Sequence, residues 1–309
     1  MSAHLAFYRE HGISPVSYGG TREEHFQRRA SLYRSLRLPP LAFRGAKVLE
    51  VASGTGQNAE YLASLKPSHL ELVEPYPARW STQVAVKVVA LENYIPPPFQ
   101  FDVVICENWL GLKELPLLTK LAALVDKDGV LVLTCVHPLG IYPNLLRRKL
   151  ASRLIDQSMS FEQKTTTLLD TFETHLATIK DMTRSHVDWV QDMLLNPAVE
   201  HIGVTFPMLV ERLDAEFTIL GTSPEFITDW RWFKSLHGND KRFNERALRA
   251  YHFHGDEFSS YNDHSPRPGL EEAHALLIAP NISVEDVRNM RHFKYLFGRE
   301  TIYASFQRN

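Results

Sequence analysis

One stretch near the start of the chain, residues 47–59 (KVLEVASGTGQNA), limits the fold more than any other part of the sequence. The apolar residues around Leu49 have the pattern of a short buried strand, and the small residues from Ser53 to Gly56 predict a sharp turn. Such a turn brings a ligand close to the N-terminus of the helix that follows it. A strand, a small-residue turn and a helix in this order are typical of a nucleotide-binding site.

Two kinds of site share this pattern. Residues 54–59 (GTGQNA) also satisfy the dinucleotide-binding pattern G-x-G-x-x-G/A, which is weak on its own. Glu50 favours one kind over the other, because a carboxylate beside the turn would repel the pyrophosphate of a dinucleotide. The sequence therefore favours a ligand with a cationic group at this place. A nicotinamide-dependent oxidoreductase stays as the competing class of enzyme.

Residues 50–56 (EVASGTG) resemble motif I of the class I S-adenosylmethionine-dependent methyltransferases, E/D-x-G-x-G-x-G. Ala52 replaces the first glycine of the motif, and Ser53 stands where the family varies. The resemblance covers about residues 21–135 and implies S-adenosylmethionine as the cofactor, with its methionyl ammonium near Glu50. The cofactor-binding residues that we predict are Glu50, Ala52, Ser53, Gly54, Thr55, Gly56, Glu74, Leu91, Glu92 and Glu107.

Glu74 ends the next predicted strand, Leu70–Glu74, about 20 residues after the glycine turn. In a parallel doubly wound sheet, ligands bind beyond the carboxyl ends of the strands, where an acid can accept hydrogen bonds from ribose hydroxyls. The resemblance gives Glu74 that role. Glu71, at the other end of the strand, is expected to lie in solvent.

A third strand is predicted at Ala85–Val89, and residues 90–96 (ALENYIP) follow it. The latter align with the stretch that flanks adenine in many members of the family. The aspartate of that stretch falls on Leu91 in this chain. The adenine amine would then be held by another group, such as Glu92 or backbone carbonyls.

Two further apolar runs, Phe101–Cys106 and Gly129–Cys135, predict the fourth and fifth strands, with a helix at Leu115–Val125 between them. The alternation of strands and helices predicts a parallel sheet with right-handed crossovers. From Pro138 to about Thr205 the alternation stops, and amphipathic patterns predict a helical insertion. Both cysteines end apolar runs, which favours core packing over redox chemistry or metal binding.

The two ends of the chain complete the predicted fold. Residues 1–20 have the composition of an irregular arm, and Thr21–Glu24 (TREE) predicts the capping box of a helix that leads into the first strand. Phe217–Gly221 and Thr301–Gln307 predict a closing antiparallel pair of strands. We therefore expect an α/β, Rossmann-like doubly wound sheet with a helical insertion after the fifth strand and an extended C-terminal section. The predicted segments are 1–137 (leading helix and cofactor-binding core), 138–205 (insertion) and 206–309 (closing strands and an additional segment).

Two residues past the carboxyl ends of predicted strands are candidates for catalysis. Asn108 could orient an acceptor by hydrogen bonding, beside Trp109, which could stack on adenine or substrate. A helix cap next to a packed tryptophan would explain both equally. His137 is the first candidate for a general base, because histidine can accept a proton near neutral pH. A structural histidine bonded to a backbone carbonyl is the alternative.

Three polar and aromatic clusters lie outside the resemblance. Residues 181–189 (DMTRSHVDW) predict either the lining of an acceptor pocket or a helix terminus with a docking tryptophan. Residues 251–257 (YHFHGDE) alternate as a strand with one polar face does. Their histidines lack the helical spacing of a zinc site, so no metal is expected. The segment Trp230–Trp232, together with the insertion, is predicted to form a lid over the acceptor.

Composition narrows the classes of function. The chain has 309 residues, 44% of them hydrophobic and 23% charged, with a formal net charge of −2, so it has no overall basic field for nucleic acid. It shows neither a long apolar run nor a signal peptide at residues 1–20, so we expect a cytoplasmic protein without a membrane partner. A homo-oligomer is compatible with the sequence.

The resemblance implies methyl transfer from S-adenosylmethionine by in-line displacement. The bulky insertion and the absence of a basic field favour a small-molecule or sugar acceptor. A protein that binds the cofactor without catalysis, as a scaffold, is the alternative from outside the enzymes.

Overall fold

A computed structural model gives the structure of the chain. It describes residues 3–13, 20–77, 82–177, 184–197, 203–227, 231–235, 242–259, 275, 278–283, 285 and 301–309. Contacts within the chain define two compact units. The first, the sheet unit, holds residues 21–136, 203–258 and 301–309, and the second, the helical unit, holds residues 1–20, 137–202 and 259–300. This grouping joins the N-terminal arm and residues 259–300 to the insertion, whereas the predicted segments were contiguous in sequence.

The sheet unit is built on six described strands in the order β2-β1-β3-β4-β6-β5. The strands are β1 (Lys47–Val51), β2 (His69–Val73), β3 (Phe101–Cys106), β4 (Val125–Val136), β5 (Phe217–Ser223) and β6 (Thr301–Arg308). The first four pair in parallel, while β6 is antiparallel to both β4 and β5. The predicted closing antiparallel pair is therefore confirmed.

The described helices of the two units are α1 (Ala3–His11), α2 (Arg22–Ser35), α3 (Gln57–Ser64), α4 (Leu118–Leu124), α5 (Pro138–Leu154), α6 (Phe161–Leu176), α7 (His186–Val190), α8 (Phe206–Leu213) and α9 (Arg242–Ser259). Helices α2 and α3 pack on one face of the sheet, and α4 and α8 pack on the other. Successive residues of β3 enter different cores, because strand side chains alternate between faces. Val103 packs in the core that includes Tyr33 of α2 and Leu62 of α3, and Val104 in the core that includes Leu121 of α4 and Leu209 of α8. The doubly wound α/β fold is confirmed.

The capping box at the start of the leading helix is also confirmed. The Glu24 backbone N–H donates to Thr21 Oγ1 over 3.2 Å, and the Thr21 N–H donates to Glu24 Oε2 over 2.8 Å. These bonds satisfy donors that a helix start leaves open, and so they fix where α2 begins.

The predicted third strand, Ala85–Val89, is wrong. Only Lys87 pairs with the sheet, through a single parallel bridge to Val73. The side chains of this segment are half-buried or exposed, and Val88 is 64% exposed. A segment rich in β-branched residues gains little from pairing with the sheet when no packed helix or sheet covers its side chains.

The irregular arm predicted for residues 1–20 is wrong for residues 3–11, which form α1. Phe7 is buried, and the His11 ring stacks on Phe161 of α6 with 3.8 Å between ring centroids. Tertiary packing of these rings stabilises a helix whose own sequence pattern is weak.

The strand predicted at residues 251–257 is wrong as well, because these residues continue α9. Ala247 and Tyr251, four residues apart, are buried on one side of the helix, while Phe253 is 82% exposed. The His-Phe-His alternation suggested the two-residue period of a strand. The buried positions of the longer segment instead follow the period of a helix, and the helix is what forms.

The helical unit contains most of the predicted insertion, whose described part forms α5, α6 and α7. Its core contains Leu146 and Leu150 of α5, Leu168 and Phe172 of α6 and Trp189 of α7. Helix α7 continues into a π-helical segment, Gln191–Leu195. Among the described residues, no helix is long and apolar enough to cross a membrane.

Candidate functional site

The turn between β1 and α3 has the backbone that its sequence predicts. Gly54 and Gly56 adopt φ angles of 58° and 80°, in the left-handed region that glycine occupies without a steric penalty. Ala52 also has a left-handed φ, of 61°, although it carries a Cβ. The turn thus sits at the carboxyl end of β1, immediately before the N-terminus of α3.

Glu74 lies beside this turn. Its Oε2 accepts a hydrogen bond from the Gly54 N–H over 3.0 Å, and its Oε1 accepts one from the Tyr76 N–H over 2.9 Å. Burial raises the pKa of Glu74, and the two backbone N–H groups oppose that rise. The structure therefore brings together the predicted ribose-binding acid and the predicted glycine turn.

Glu50, on β1, is almost fully buried. Its Oε1 accepts a hydrogen bond from Asn58 Nδ2 over 2.5 Å, while its Oε2 is buried without a hydrogen-bond partner among the described residues. Burial raises the pKa of Glu50 to about 7; the Asn58 bond and Arg29 lower it, and the carboxylates of Glu107 and Glu74 raise it. A donor that carries a positive charge would complete this arrangement.

Glu107 follows β3 and is bound by a side chain of the leading helix. Arg29 donates to both of its oxygens, from Nη1 over 2.8 Å and from Nη2 over 2.5 Å. Both side chains are largely buried. A bidentate pair of this kind occupies the carboxylate, so the predicted contact of Glu107 with the cofactor stays a prediction.

Three residues of the site were missed from the sequence. The Tyr33 hydroxyl, fully buried, accepts hydrogen bonds from Arg29 Nη2 over 2.6 Å and from Asn58 Nδ2 over 3.2 Å. Arg29 precedes Tyr33 by about one turn of α2. A polar residue four positions from a buried tyrosine could have indicated this network.

The segment predicted to flank adenine has mixed contacts. Leu91 is buried in the core, while Glu92 is exposed in the same 3₁₀ turn. Lys120 Nζ donates to the backbone carbonyls of Glu92 and Tyr94, over 2.9 and 3.0 Å. The Leu91 side chain thus contributes to packing, and the Glu92 role stays a prediction.

Glu71, expected in solvent, is instead buried. Its carboxylate accepts from Lys87 Nζ over 2.7 Å and from the Tyr94 hydroxyl, and its Oε2 lies 3.2 Å from His69 Nε2. The prediction failed because Glu71 lies in the middle of the edge strand β2, where the later segment that carries Lys87 and Tyr94 covers it.

The remaining turn residues lie where the sequence placed them. Ser53 is half-buried, and its hydroxyl lies 3.4 Å from the Glu50 carbonyl, whereas Thr55 is buried. Asn108 is exposed, with a left-handed φ of 55°, and its N–H donates to Thr134 Oγ1 over 2.6 Å. Its side chain is thus accessible, as an acceptor-orienting group requires.

His137 belongs to the helical unit, where it is the buried N-cap of α5. Its role as a general base stays a prediction. Of the stretch 181–189, residues 181–183 lie outside the described residues, and Arg184 donates to Asp192 Oδ2 over 3.0 Å. Trp230 also lies outside the described residues.

No family model and no curated protein sequence matches this chain. Solved structures do match. The plantazolicin methyltransferase BpumL, in complex with a pentazolic desmethylPZN analog and SAH, matches at 13% identity and a TM-score of 0.44, over 93% of this chain and 87% of that one. A S-adenosylmethionine dependent methyltransferase from Mesorhizobium loti matches at 11% identity and a TM-score of 0.42, over 90% and 98%. PKMT2 from Rickettsia typhi, in complex with AdoHcy, matches at 12% identity and a TM-score of 0.45, over 94% and 54%.

Proposed function

We propose that this protein transfers a methyl group from S-adenosylmethionine to an acceptor nucleophile. One observation carries the proposal: Glu50 Oε2 is buried at the end of β1 with no hydrogen-bond partner among the described residues. A buried carboxylate oxygen without a donor is costly, and an ammonium group supplies both the charge and the N–H donors that it needs. The methionyl ammonium of S-adenosylmethionine is such a group.

The charges around the turn support the same ligand. Glu74 touches Gly54 from one side, and Glu50 lies on the strand that leads into the turn. Arg29 offsets the charge of Glu107 but is bound by it through two hydrogen bonds. A pyrophosphate beside two carboxylates would be repelled. S-adenosylmethionine has no phosphate, and its ribose hydroxyls can donate to Glu74.

The proposed chemistry is an in-line displacement at the methyl carbon. S-adenosylmethionine bound there would supply the methyl carbon, and its sulfur would leave as the neutral thioether of S-adenosylhomocysteine while the acceptor would give up its proton to a base. Glu50 would hold the methionyl ammonium of the cofactor, and Glu74 would hold its ribose. Alignment of the reactants would supply most of the acceleration. Asn108 is the candidate to orient the acceptor, and His137 is the candidate base.

For the acceptor we propose a small molecule or a sugar. The formal net charge of −2 provides no basic field for a nucleic acid. The helical insertion, which begins directly after β4, is the proposed lid over this acceptor. We expect hydrogen exchange in the described part of residues 160–190 to slow when S-adenosylhomocysteine and the acceptor are both present.

The first test is ligand binding, by thermal shift and by calorimetry. S-adenosylhomocysteine should stabilise the protein, and NADH should not. Glu50→Gln should lower the affinity for S-adenosylhomocysteine about tenfold or more, because it removes a charge-assisted bond. The exposed Glu211 of α8 gives a control, since Glu211→Gln changes the same functional group elsewhere in the sheet unit. Stabilisation by NADH alone, or unchanged affinity in Glu50→Gln, would refute the proposal.

The second test follows the methyl group. The protein, with methyl-labelled S-adenosylmethionine, is incubated with a cell extract, and the label is then traced in the small-molecule and macromolecule fractions. Label in small molecules is the expected result. Label in protein or nucleic acid would contradict the proposed acceptor class. Tight binding of S-adenosylhomocysteine without transfer to any fraction would indicate a cofactor-binding scaffold.

A further inference from the structure

Glu50 is one end of a buried chain of hydrogen bonds that joins three parts of the sheet unit. The chain runs from Glu107, after β3, through Arg29 and Tyr33 on α2 to Asn58 on α3, and it ends at Glu50. Every side chain in it is buried or nearly so. The sequence motif predicted Glu50 but not the groups that hold it.

We propose that Asn58 is the positioning residue for the cofactor, because it binds one oxygen of Glu50 and so leaves the other oxygen, Oε2, to the ligand's ammonium. This inference rests on the proposed function and adds a residue outside the motif to it. Asn58 acts through Glu50 and is therefore not itself a catalytic residue.

The orientation of the Asn58 amide is determined by its neighbours. Its Nδ2 donates both to Glu50 Oε1, over 2.5 Å, and to the Tyr33 hydroxyl, over 3.2 Å. An amide rotated by half a turn would set Oδ1 against the carboxylate, with two acceptors facing each other. Both N–H bonds of the amide are thus used, and each holds a different partner.

The Tyr33 hydroxyl, which accepts the second hydrogen bond of the Asn58 amide, is itself held in place by its neighbours. Its hydroxyl accepts from Arg29 Nη2 over 2.6 Å and lies 3.4 Å from Glu107 Oε1, to which it can donate. Arg29 is itself held by both oxygens of Glu107. The Asn58 amide therefore has little freedom to release Glu50, and the direction in which Oε2 points is set by α2 and α3 together.

Asn58 also affects the charge of Glu50. The charged or titratable groups that face Glu50 are Arg29 and Tyr33 of α2, Glu74 after β2, and Glu107 and Cys106 at the end of β3. Burial raises the pKa of Glu50 to about 7, and the hydrogen bond from Asn58 is the strongest influence that lowers it. Only the ionised carboxylate attracts an ammonium, so affinity should fall as the pH falls through this pKa. Loss of the Asn58 bond should move that fall to higher pH.

The test is the pH dependence of S-adenosylhomocysteine affinity in Asn58→Ala, measured by calorimetry from about pH 6 to about pH 9, across the expected pKa. We expect an affinity about tenfold lower at pH 7, and a midpoint about one pH unit higher than in the wild type. Affinity should recover at high pH, where Glu50 is ionised again. A purely structural role would lower the affinity without moving the midpoint.

Tyr61 provides the matched control. Its ring stacks on Tyr33 with 5.9 Å between centroids, and its buried hydroxyl has no hydrogen-bond partner among the described residues. Tyr61→Phe should leave the midpoint unchanged, whereas Tyr33→Phe, which removes an acceptor of the Asn58 amide, should raise it by a smaller amount than Asn58→Ala. If Asn58→Ala does not fold, Asn58→Leu fills the same space without a donor and carries the same expectation.

The outcomes separate the two proposals. A wild-type protein that does not bind S-adenosylhomocysteine would refute the proposed function, and this inference with it. A wild type that binds, with an unmoved midpoint in Asn58→Ala or Asn58→Leu, would refute the role of Asn58 alone.

Discussion

Two buried carboxylates on neighbouring strands of the sheet have opposite environments. Glu71 of β2 is 7% exposed and Glu50 of β1 is 5% exposed. Among the described residues, the Glu71 side chain has three partners, which are His69, Lys87 and Tyr94, and the Glu50 side chain has one, which is Asn58. Burial alone would raise both pKa values. The hydrogen bonds outweigh burial at Glu71 and hold its pKa below the usual value, whereas the pKa of Glu50 is about 7.

The comparison separates stability from function. A buried acid with all of its hydrogen bonds made supports the fold, and one with an open oxygen lowers stability until a ligand completes it. Glu71 holds the segment around Lys87 and Tyr94 against the sheet edge where no third strand forms. Glu50 has no such structural task. The two acids are buried to about the same extent, so burial does not distinguish the structural acid from the proposed ligand-binding one. The number of hydrogen-bond donors to each carboxylate does.

The largest expected effect is the loss of stability in Glu71→Ala. The change leaves the buried Tyr94 hydroxyl and the Lys87 ammonium without their acceptor, and it should lower the free energy of unfolding by about 3 kcal/mol at pH 7. Because the folded pKa of Glu71 is lowered, its contribution is present above the unfolded value near 4.5 and is lost as the pH falls through the folded pKa. Urea denaturation at neutral and at acidic pH measures both.

Glu92→Ala is the control for this experiment, since it removes an exposed acid from the same region and should change stability by less than about 0.5 kcal/mol. An equal loss in the two variants would show that the hydrogen bonds of Glu71 add nothing to the fold.

Glu50→Gln should raise, rather than lower, the free energy of unfolding of the protein without ligand. The folded pKa of Glu50, about 7, lies above its unfolded value of 4.5, so the native state binds more protons and stability falls as the pH rises between these values. Glutamine does not ionise. The variant should match the wild type near pH 4 and exceed its free energy of unfolding by up to about 3 kcal/mol at pH 8.

Thermal unfolding at several pH values, with and without S-adenosylhomocysteine, measures this reversal. The wild type should regain its stability when the ligand is added, and the variant should gain much less. If Glu50→Gln is less stable than the wild type at pH 8, the ionised Glu50 does not destabilise the protein without ligand, and this interpretation of its buried Oε2 is wrong.

The sequence predicted the strands and the turn of this site well, because their determinants are local. The apolar run of β1, the glycines at 54 and 56 and the capping box at Thr21 each act within a few residues, and each is found where it was predicted. Sequence patterns of this kind depend on period and backbone conformation alone. Glu74, 20 residues from Gly54, was placed beside the turn by a different rule, that ligands bind beyond the carboxyl ends of parallel strands.

The contacts between distant parts of the chain could not be predicted in this way. Arg29 and Glu107 are 78 positions apart, so no local pattern relates them. Lys87 was assigned to a strand by its apolar neighbours, whereas its ammonium group binds Glu71. The ring of Tyr33 packs in the core, so nothing in the local sequence shows that its hydroxyl accepts from both Arg29 and Asn58. Partners such as these depend on which segments the fold brings together.

A smaller effect, on affinity, is expected for Glu74→Ala. Loss of the acceptor for the ribose hydroxyls should weaken S-adenosylhomocysteine binding about tenfold, or about 1.4 kcal/mol. Glu74 also accepts from the Gly54 N–H, so a general loosening of the turn could lower affinity by another route. An analogue without the ribose 2′-hydroxyl distinguishes the two, because the wild type should discriminate against it and Glu74→Ala should not. Equal discrimination by both proteins would assign Glu74 to the turn alone.

The smallest effect concerns Ala52, which holds the first position of the turn beside Glu50. Its φ of 61° places a Cβ in the left-handed region, at a cost that glycine avoids. Ala52→Gly relieves this strain but adds freedom to the unfolded chain, so we expect a net gain of only about 0.5 kcal/mol. Ala63, exposed on α3, is the control, since the same change in a helix should lower stability by about 0.5–1 kcal/mol. Urea denaturation of both variants measures whether the free energy of unfolding rises in Ala52→Gly and falls in Ala63→Gly. A loss of stability in Ala52→Gly equal to that in Ala63→Gly would mean that the backbone at Ala52 carries no strain.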